Sequence, residues 1–401
     1  MNRVQADDRL VSRLQSYQKI SLIVGVVGIV ALILAFFLHA ESFFPAYLIG
    51  WVFWVQVALG ALVLLLIQNT VGGRWGLVIQ RVAEAATKPL CLLAVLFIVI
   101  IIGIPHLYEW SHADVVAHDE LLQAKEAYLN VPFFIVRAVI YFVIWIGMAM
   151  LLRKWSLALD ENPDDTATRR KLRNLSAPGI LIFGFTVTFA SVDWMMSLEP
   201  HWYSTIYGMM FGVGAMASGF AFSIVILAWL IKYKPWSDVV RTIDISDLGN
   251  WLLASIMLWA YLAFSQFLIM WSANLPEEIT WYLKRSSGGW EWVAIINVFL
   301  HFVLPFFFLL VRGTKKAPGR LLKIAWLVLL MRFVDLVWMI YPVFSPEHLR
   351  PPLLAFVAWI GIGGLFLSVF FRYLAQVNIP PTYDPRLPVT QVSEEAHGHV
   401  S

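Results

Sequence analysis

The stretch YLIGWVFWVQVALGALVLLLI, residues 47–67, decides what kind of molecule this is. It holds 21 residues without one charge. A helix needs about 20 mainly apolar residues to cross about 30 Å of hydrocarbon, so this one is long enough to span a bilayer. Nine further segments read the same way: 20–38, 89–108, 131–152, 178–196, 206–231, 248–272, 292–311, 321–341 and 353–374. The ten together take up just over half of the 401 residues. The expected fold is an all-α polytopic membrane protein with ten transmembrane helices.

Composition points the same way. The chain is 60% hydrophobic and 14% charged, against roughly 45–50% and about 25% for a soluble domain. Its net charge is only +3, and the basic residues are spread over many loops, which argues against a nucleic-acid partner. Cys91 is the single cysteine. One thiol cannot form an intrachain disulfide, a CxxCH haem attachment or an iron–sulfur cluster. The first segment follows Arg3, Arg9, Arg13 and Lys19 like a signal peptide, but its 19 apolar residues exceed the roughly 7–15 of a signal core. No small-x-small cleavage site follows it, so it reads as a retained helix.

Lysine and arginine counts set the orientation. The N-terminus, the loops after helices 2, 4, 6 and 8, and the C-terminus, taken with the adjoining helix ends, hold 23, against 4 in the odd-numbered loops. Both termini are therefore expected in the cytoplasm of a bacterial inner (cytoplasmic) membrane, with loops 3–4, 5–6, 7–8 and 9–10 facing outward. Loop 4–5 (153–177) carries Arg153, Lys154, Arg169, Arg170, Lys171 and Arg173 and suits contact with anionic lipid heads. Loop 3–4 (109–130) has the pattern of a short surface helix. Residues 1–377 form the membrane domain, and the tail 378–401 is expected to be flexible. No soluble catalytic domain is present, so function must sit among the helices or in partners that they hold.

Of nine histidines, only His301 lies well inside a span. His39 sits at a membrane edge; the rest are in outer loops or the tail. Bis-histidine haem and multi-histidine copper centres therefore lack their ligands. His112, His118 and Glu120 have metal-ligand chemistry, but they read as solvated polar groups on a surface helix. His397 and His399 read as an unstructured end. No phosphate-binding loop occurs, and no cofactor or metal is expected on this chain.

Charges in hydrocarbon cost roughly 2.5–3.5 kcal/mol each and usually face the protein interior. They single out Arg137, Asp193, His301, Arg332 and Asp335, with Glu199 just beyond helix 5. Arg332 and Asp335, three residues apart, share a helix face and can pair. At about 1.5 Å per residue, His301 and Arg332 lie roughly 13–14 Å below the outer boundary, and Asp335 and Arg137 roughly 9 Å. The inner half offers Thr186, Ser218, Ser223, Ser255 and Tyr261. This reads as a polar pocket opening outward, with Asp193, His301, Arg332, Asp335, Arg137 and Tyr261 as candidates for a proton path. A self-satisfied salt bridge that only fixes helix packing accounts for Arg332 and Asp335 equally well.

The most distinctive run is Asp193-Trp194-Met195-Met196-Ser197-Leu198-Glu199-Pro200-His201-Trp202. An interfacial aromatic belt explains its rings but not the carboxylates beside them. Trp194, Glu199, His201 and Trp202 are therefore candidates for an outer docking surface or for the mouth of a path. This run, in a ten-helix chain of this length with a basic loop 4–5, resembles the ActF family of membrane subunits of bacterial alternative complex III, a quinol:cytochrome c oxidoreductase. ActF belongs to the wider NrfD/polysulfide-reductase-like group. The resemblance implies two four-helix bundles, helices 2–5 and 6–9, flanked by helices 1 and 10. It also implies partners: a sister ten-helix subunit with the quinol site, an extrinsic iron–sulfur protein and c-type cytochrome subunits, all in contact with membrane lipids. Quinol, c-type haem and iron–sulfur clusters would then belong to those partners.

The leading expectation is a subunit of such a complex that scaffolds its extrinsic redox subunits and conducts protons, and that is not catalytic alone. A purely structural anchor is the first rival. The second is a secondary transporter, whose broken helices would find weak counterparts in Pro305 and in the Gly212, Gly214, Gly219 series. Those glycines read more simply as close-packing positions.

Overall fold

The computed structural model describes residues 8–38, 40–349 and 352–376, together with Pro381, Asp384, Arg386 and Leu387. Arg3, His39, His397 and His399 lie outside the described residues. Ten helices are long and apolar enough to cross a membrane: α1 (Arg9–Phe37), α2 (Glu41–Val71), α3 (Arg74–Ile102), α4 (Val131–Glu161), α5 (Thr166–Leu198), α6 (Tyr207–Leu230), α7 (Thr242–Ala273), α8 (Trp290–Leu310), α9 (Pro318–Phe344) and α10 (Leu353–Leu374). No strand occurs among the described residues. The chain is an all-α, multi-pass membrane protein.

Several helices are longer than their apolar runs. The segment 74–87, expected as part of a loop, opens α3, and α5 starts at Thr166 rather than 178. Apolar counting stops where polar residues begin, but here those residues are satisfied inside the bundle. In α3, Arg81 pairs with Glu84 at 2.6 Å and with Asp160 of α4, while Gln80 bonds Ser156 of α4 at 2.9 Å. Asp165 caps α5 by accepting from the amides of Ala167 and Thr168 at 2.9 and 3.0 Å. Arg153, read as a loop residue, is buried on α4. In the tail expected to be flexible, Asp384 and Leu387 are buried, and Arg74 donates to the Arg386 carbonyl.

The most apolar stretch of α2 is wholly buried. It packs against α3, α5, α6, α9 and α10. Helices α2–α5 and α6–α9 make two four-helix sets that meet chiefly along α2 and α6, while α1 packs on α10 and that pair covers α2. At the α2–α6 crossing Gly60 faces Gly219. A Cβ on Gly60 would lie 2.0 Å from the Ala215 carbonyl oxygen and 2.7 Å from the Gly219 nitrogen. Only small residues permit that approach, the usual device where lipid gives helices no hydrophobic drive to associate. The outward faces carry exposed Ile23, Val27, Leu181 and Phe185, a surface suited to acyl chains and not to water.

Two ends can be told apart by chemistry. A basic end holds the turns around 72–73, 162–165, 231–241 and 311–317. An aromatic end holds 103–130, 199–206, 274–289 and 345–349. The surface helix expected in 109–130 is present as two short helices, Ala113–Ala117 and Glu120–Lys125. There the His112 and His118 rings bond the Pro105 and Asp114 carbonyls at 2.8 and 2.7 Å.

Candidate functional site: a buried polar cluster at mid-bundle

Gln56 stands at the centre of α2, and Arg332 near the centre of α9. They meet: the Arg332 Nη2 donates to Gln56 Oε1 at 2.9 Å. Arg332 Nη1 donates to Asp335 Oδ2 at 2.6 Å, one helical turn on, and Asn297 of α8 donates to Asp335 Oδ1 at 2.6 Å. Gly214 of α6 makes room for the guanidinium, since a Cβ there would lie 2.2 Å from Nη2. The Arg332–Asp335 pair expected from i,i+3 spacing therefore forms, and it ties α9 to α2 and α8.

His301 lies beside this pair, fully buried. Its ring packs on Trp259 of α7 with centroids 4.0 Å apart. The backbone around it is unusual. Val298–Val303 is a π-helix within α8. Pro305 has no N–H to give to the His301 carbonyl, and its ring crowds that carbonyl, so the α-ladder widens there.

Five buried polar atoms in this small region have no hydrogen-bond partner among the described residues. They are both His301 ring nitrogens, Arg332 Nε, Gln56 Nε2 and Asn297 Oδ1. An unmet buried group costs about 1–3 kcal/mol, so so many in one place is not how a bundle is packed for stability alone. What the arrangement offers is a carboxylate, an imidazole and a fixed cation, with spare donor and acceptor capacity, in the middle of the bundle.

Arg137 and Asp193 belong to a different site. On α4 and α5, they form a two-pronged pair at 3.0 and 2.9 Å. Tyr141 donates to the same carboxylate at 2.8 Å, and Arg137 donates to the Tyr128 carbonyl at 2.8 Å while lying 3.8 Å over the Tyr128 ring. Arg137, read alone as an anchor to a carbonyl or a lipid, has found both a carbonyl and a carboxylate. This pair is fully engaged and closes off the aromatic end of the α2–α5 set.

The residues expected along one path thus fall into two groups. Tyr261 joins neither, being 66% exposed on the outer face of α7. The cluster is also deeper than an outer pocket, because Gln56, His301 and Arg332 each sit near the middle of their helices. Thr186, Ser218 and Ser255 turn their hydroxyls back onto carbonyls of their own helices.

Of the four residues expected at an outer docking surface, two are buried and a third is partly so. Trp194 is fully buried among Trp51, Phe97, Phe142 and Trp145. Trp202 is buried too, stacked on Trp281 at 5.0 Å and donating to the Glu278 carbonyl at 3.1 Å. Glu199 bridges Lys284 and Arg285 at 2.9 and 2.8 Å. Burial pulls the Arg285 guanidinium below its ordinary range, and Glu199 opposes that. Only His201 is exposed; it pairs with Asp119 at 2.6 Å, and that hydrogen bond holds the Asp119 carboxyl below the usual carboxylate range. The Asp193–Trp202 run is a structural tie between the two helix sets, made by rings and charges facing inward.

No protein-family model and no curated protein matches this chain. Sequence reading missed Gln56, Asn297 and Gly214 in the cluster, and Arg285 opposite Glu199. Gln56 had a signal: it is the sole amide in the run 47–67. Asn297 similarly stands four residues before His301, on the same helix face.

Proposed function

We propose that this chain is a proton-handling membrane subunit of a quinol:cytochrome c oxidoreductase of the ActF kind, holding extrinsic redox subunits and carrying no redox centre itself. The observation that carries the proton role is His301, buried with both ring nitrogens unused, next to the Arg332–Asp335–Asn297–Gln56 network. An imidazole and a carboxylate can exchange protons near neutral pH when their surroundings tune them. Arg332 donates to Asp335 at 2.6 Å, and Trp259 packs on the His301 ring. Hydrogen-bonding capacity not used by protein groups is available to water, the ordinary proton carrier in such sites. Support for the complex comes from the resemblance carried by Asp193–Trp202.

The test uses the intact assembly extracted in mild detergent. Its copurifying proteins and haem spectrum are expected to include a c-type cytochrome. His301→Gln disturbs no ion pair and should slow quinol turnover or proton movement while assembly is unchanged; Asp335→Asn should do so more strongly. Normal rates of both processes in both variants remove the proton role. A purely structural reading is favoured for Arg137–Asp193, where every charged atom in the pair is satisfied.

A further inference from the structure

We infer that the basic end carries a binding site for the phosphate of an anionic phospholipid, around Tyr373 of α10, where Lys88 of α3 and Arg153 of α4 approach it. Arg153 of α4 is 8% exposed, makes no hydrogen bond or ion pair among the described residues, and has an unpartnered buried Nη1. Lys88, at the break in α3 before Pro89, is half-buried and has no carboxylate partner either. The two cations converge on one ring: the Arg153 Cζ lies 5.2 Å and the Lys88 Nζ 5.4 Å from the Tyr373 centroid. Glu84, one turn before Lys88, bonds Arg81 and Gln80 and gives neither cation a hydrogen bond. Two neighbouring positive groups with free donors, one of them buried, form a seat for a doubly bonded anion.

What lies below that seat decides which anion. Cys91, Val95, Ile98 and Ile102 follow Lys88 along α3 at helical spacing, and all four are exposed. They make an apolar track running from the cations toward the membrane centre. A headgroup phosphate on Arg153 and Lys88 would lay its acyl chain along this track. Basic pockets between membrane helices bind anionic headgroups in this way. The site is independent of the proton reading, with which it shares no residue.

The experiment is native mass spectrometry of the full-length protein, exchanged into detergent with equal amounts of phosphatidylglycerol and phosphatidylethanolamine. The wild type is expected to retain phosphatidylglycerol preferentially. Lys88→Gln and Arg153→Gln are each expected to weaken that retention about fivefold, the effect of one basic group near the membrane surface. Lys88 is only partly buried, so its variant folds even if that of Arg153 does not; circular dichroism checks both. Equal retention of the two lipids, or unchanged retention in Lys88→Gln and in a folded Arg153→Gln, overturns the site. Displacement by inorganic phosphate as strong as by phosphatidylglycerol overturns the lipid as its occupant.

Discussion

Gly214→Ala gives the sharpest test of how the mid-bundle cluster is built. The added methyl would lie 2.2 Å from Arg332 Nη2 and 2.5 Å from Cζ. Ordinary contact begins at 3.4 Å, so the guanidinium must retreat by more than an ångström. It is held at both ends, on Asp335 at 2.6 Å and on Gln56 at 2.9 Å. A retreat of that size carries at least one bond past the roughly 3.2 Å limit. Overpacking costs about 1–3 kcal/mol, and a hydrogen bond to a charged group is worth about 1.5–3 kcal/mol. Replacing helical glycine returns up to about 1 kcal/mol. The net expectation is a loss of about 2–4 kcal/mol in reversible unfolding by denaturing detergent. Arg332→Met removes the clashing group, so in that background Gly214→Ala should cost nearly nothing. An alanine variant within about 0.5 kcal/mol of wild type, or an equal cost in both backgrounds, would refute the claim that Gly214 exists to seat Arg332.

Three further outcomes follow from the same geometry. Arg137→Gln leaves Asp193 buried without its cation and should lose about 3–5 kcal/mol, while Arg137→Met with Asp193→Leu should recover much of it; detergent unfolding of the single and double variants checks this. Trp202→Ala should destabilise by about 3–5 kcal/mol, as deletion of a buried ring does, and the loss should appear in the purified chain alone, where a surface docking role would leave stability untouched. The Asp119 carboxyl is held below its ordinary value of 3.8 by His201, so the contact helps the folded state above that value and is lost as pH falls through the lower, folded one. The difference in melting temperature between wild type and His201→Ala should therefore vanish in strong acid; a difference that persists there contradicts the assignment.

Much of the cluster was legible as chemistry but not as geometry. Arg332 and Asp335 could be paired from their spacing, because a helix fixes the relation of residues three apart. Arg137 and Asp193 stand 56 positions apart, and no local rule joins them. Trp194 and Trp202 looked interfacial because tryptophan collects at membrane surfaces. Their burial follows instead from the short helix Pro276–Lys284 lying over Trp202 and from α3 and α4 closing over Trp194. The π-helix around His301 had its cause in plain view, Pro305, although a proline more commonly kinks or ends a helix.

By itself the sequence determined that the chain is a ten-helix membrane protein, which residues are charged inside it, and that one cysteine allows no intrachain disulfide. These follow from hydropathy and residue type, which act locally and need no partner. Which charges meet, how deep they lie and which rings face inward were decided only by tertiary structure. The physical reason is that a buried ion pair or amide gains its energy from groups on other helices, brought near by a glycine crossing such as Gly60–Gly219. Helical periodicity says which face a residue shares, and packing alone says what stands opposite it.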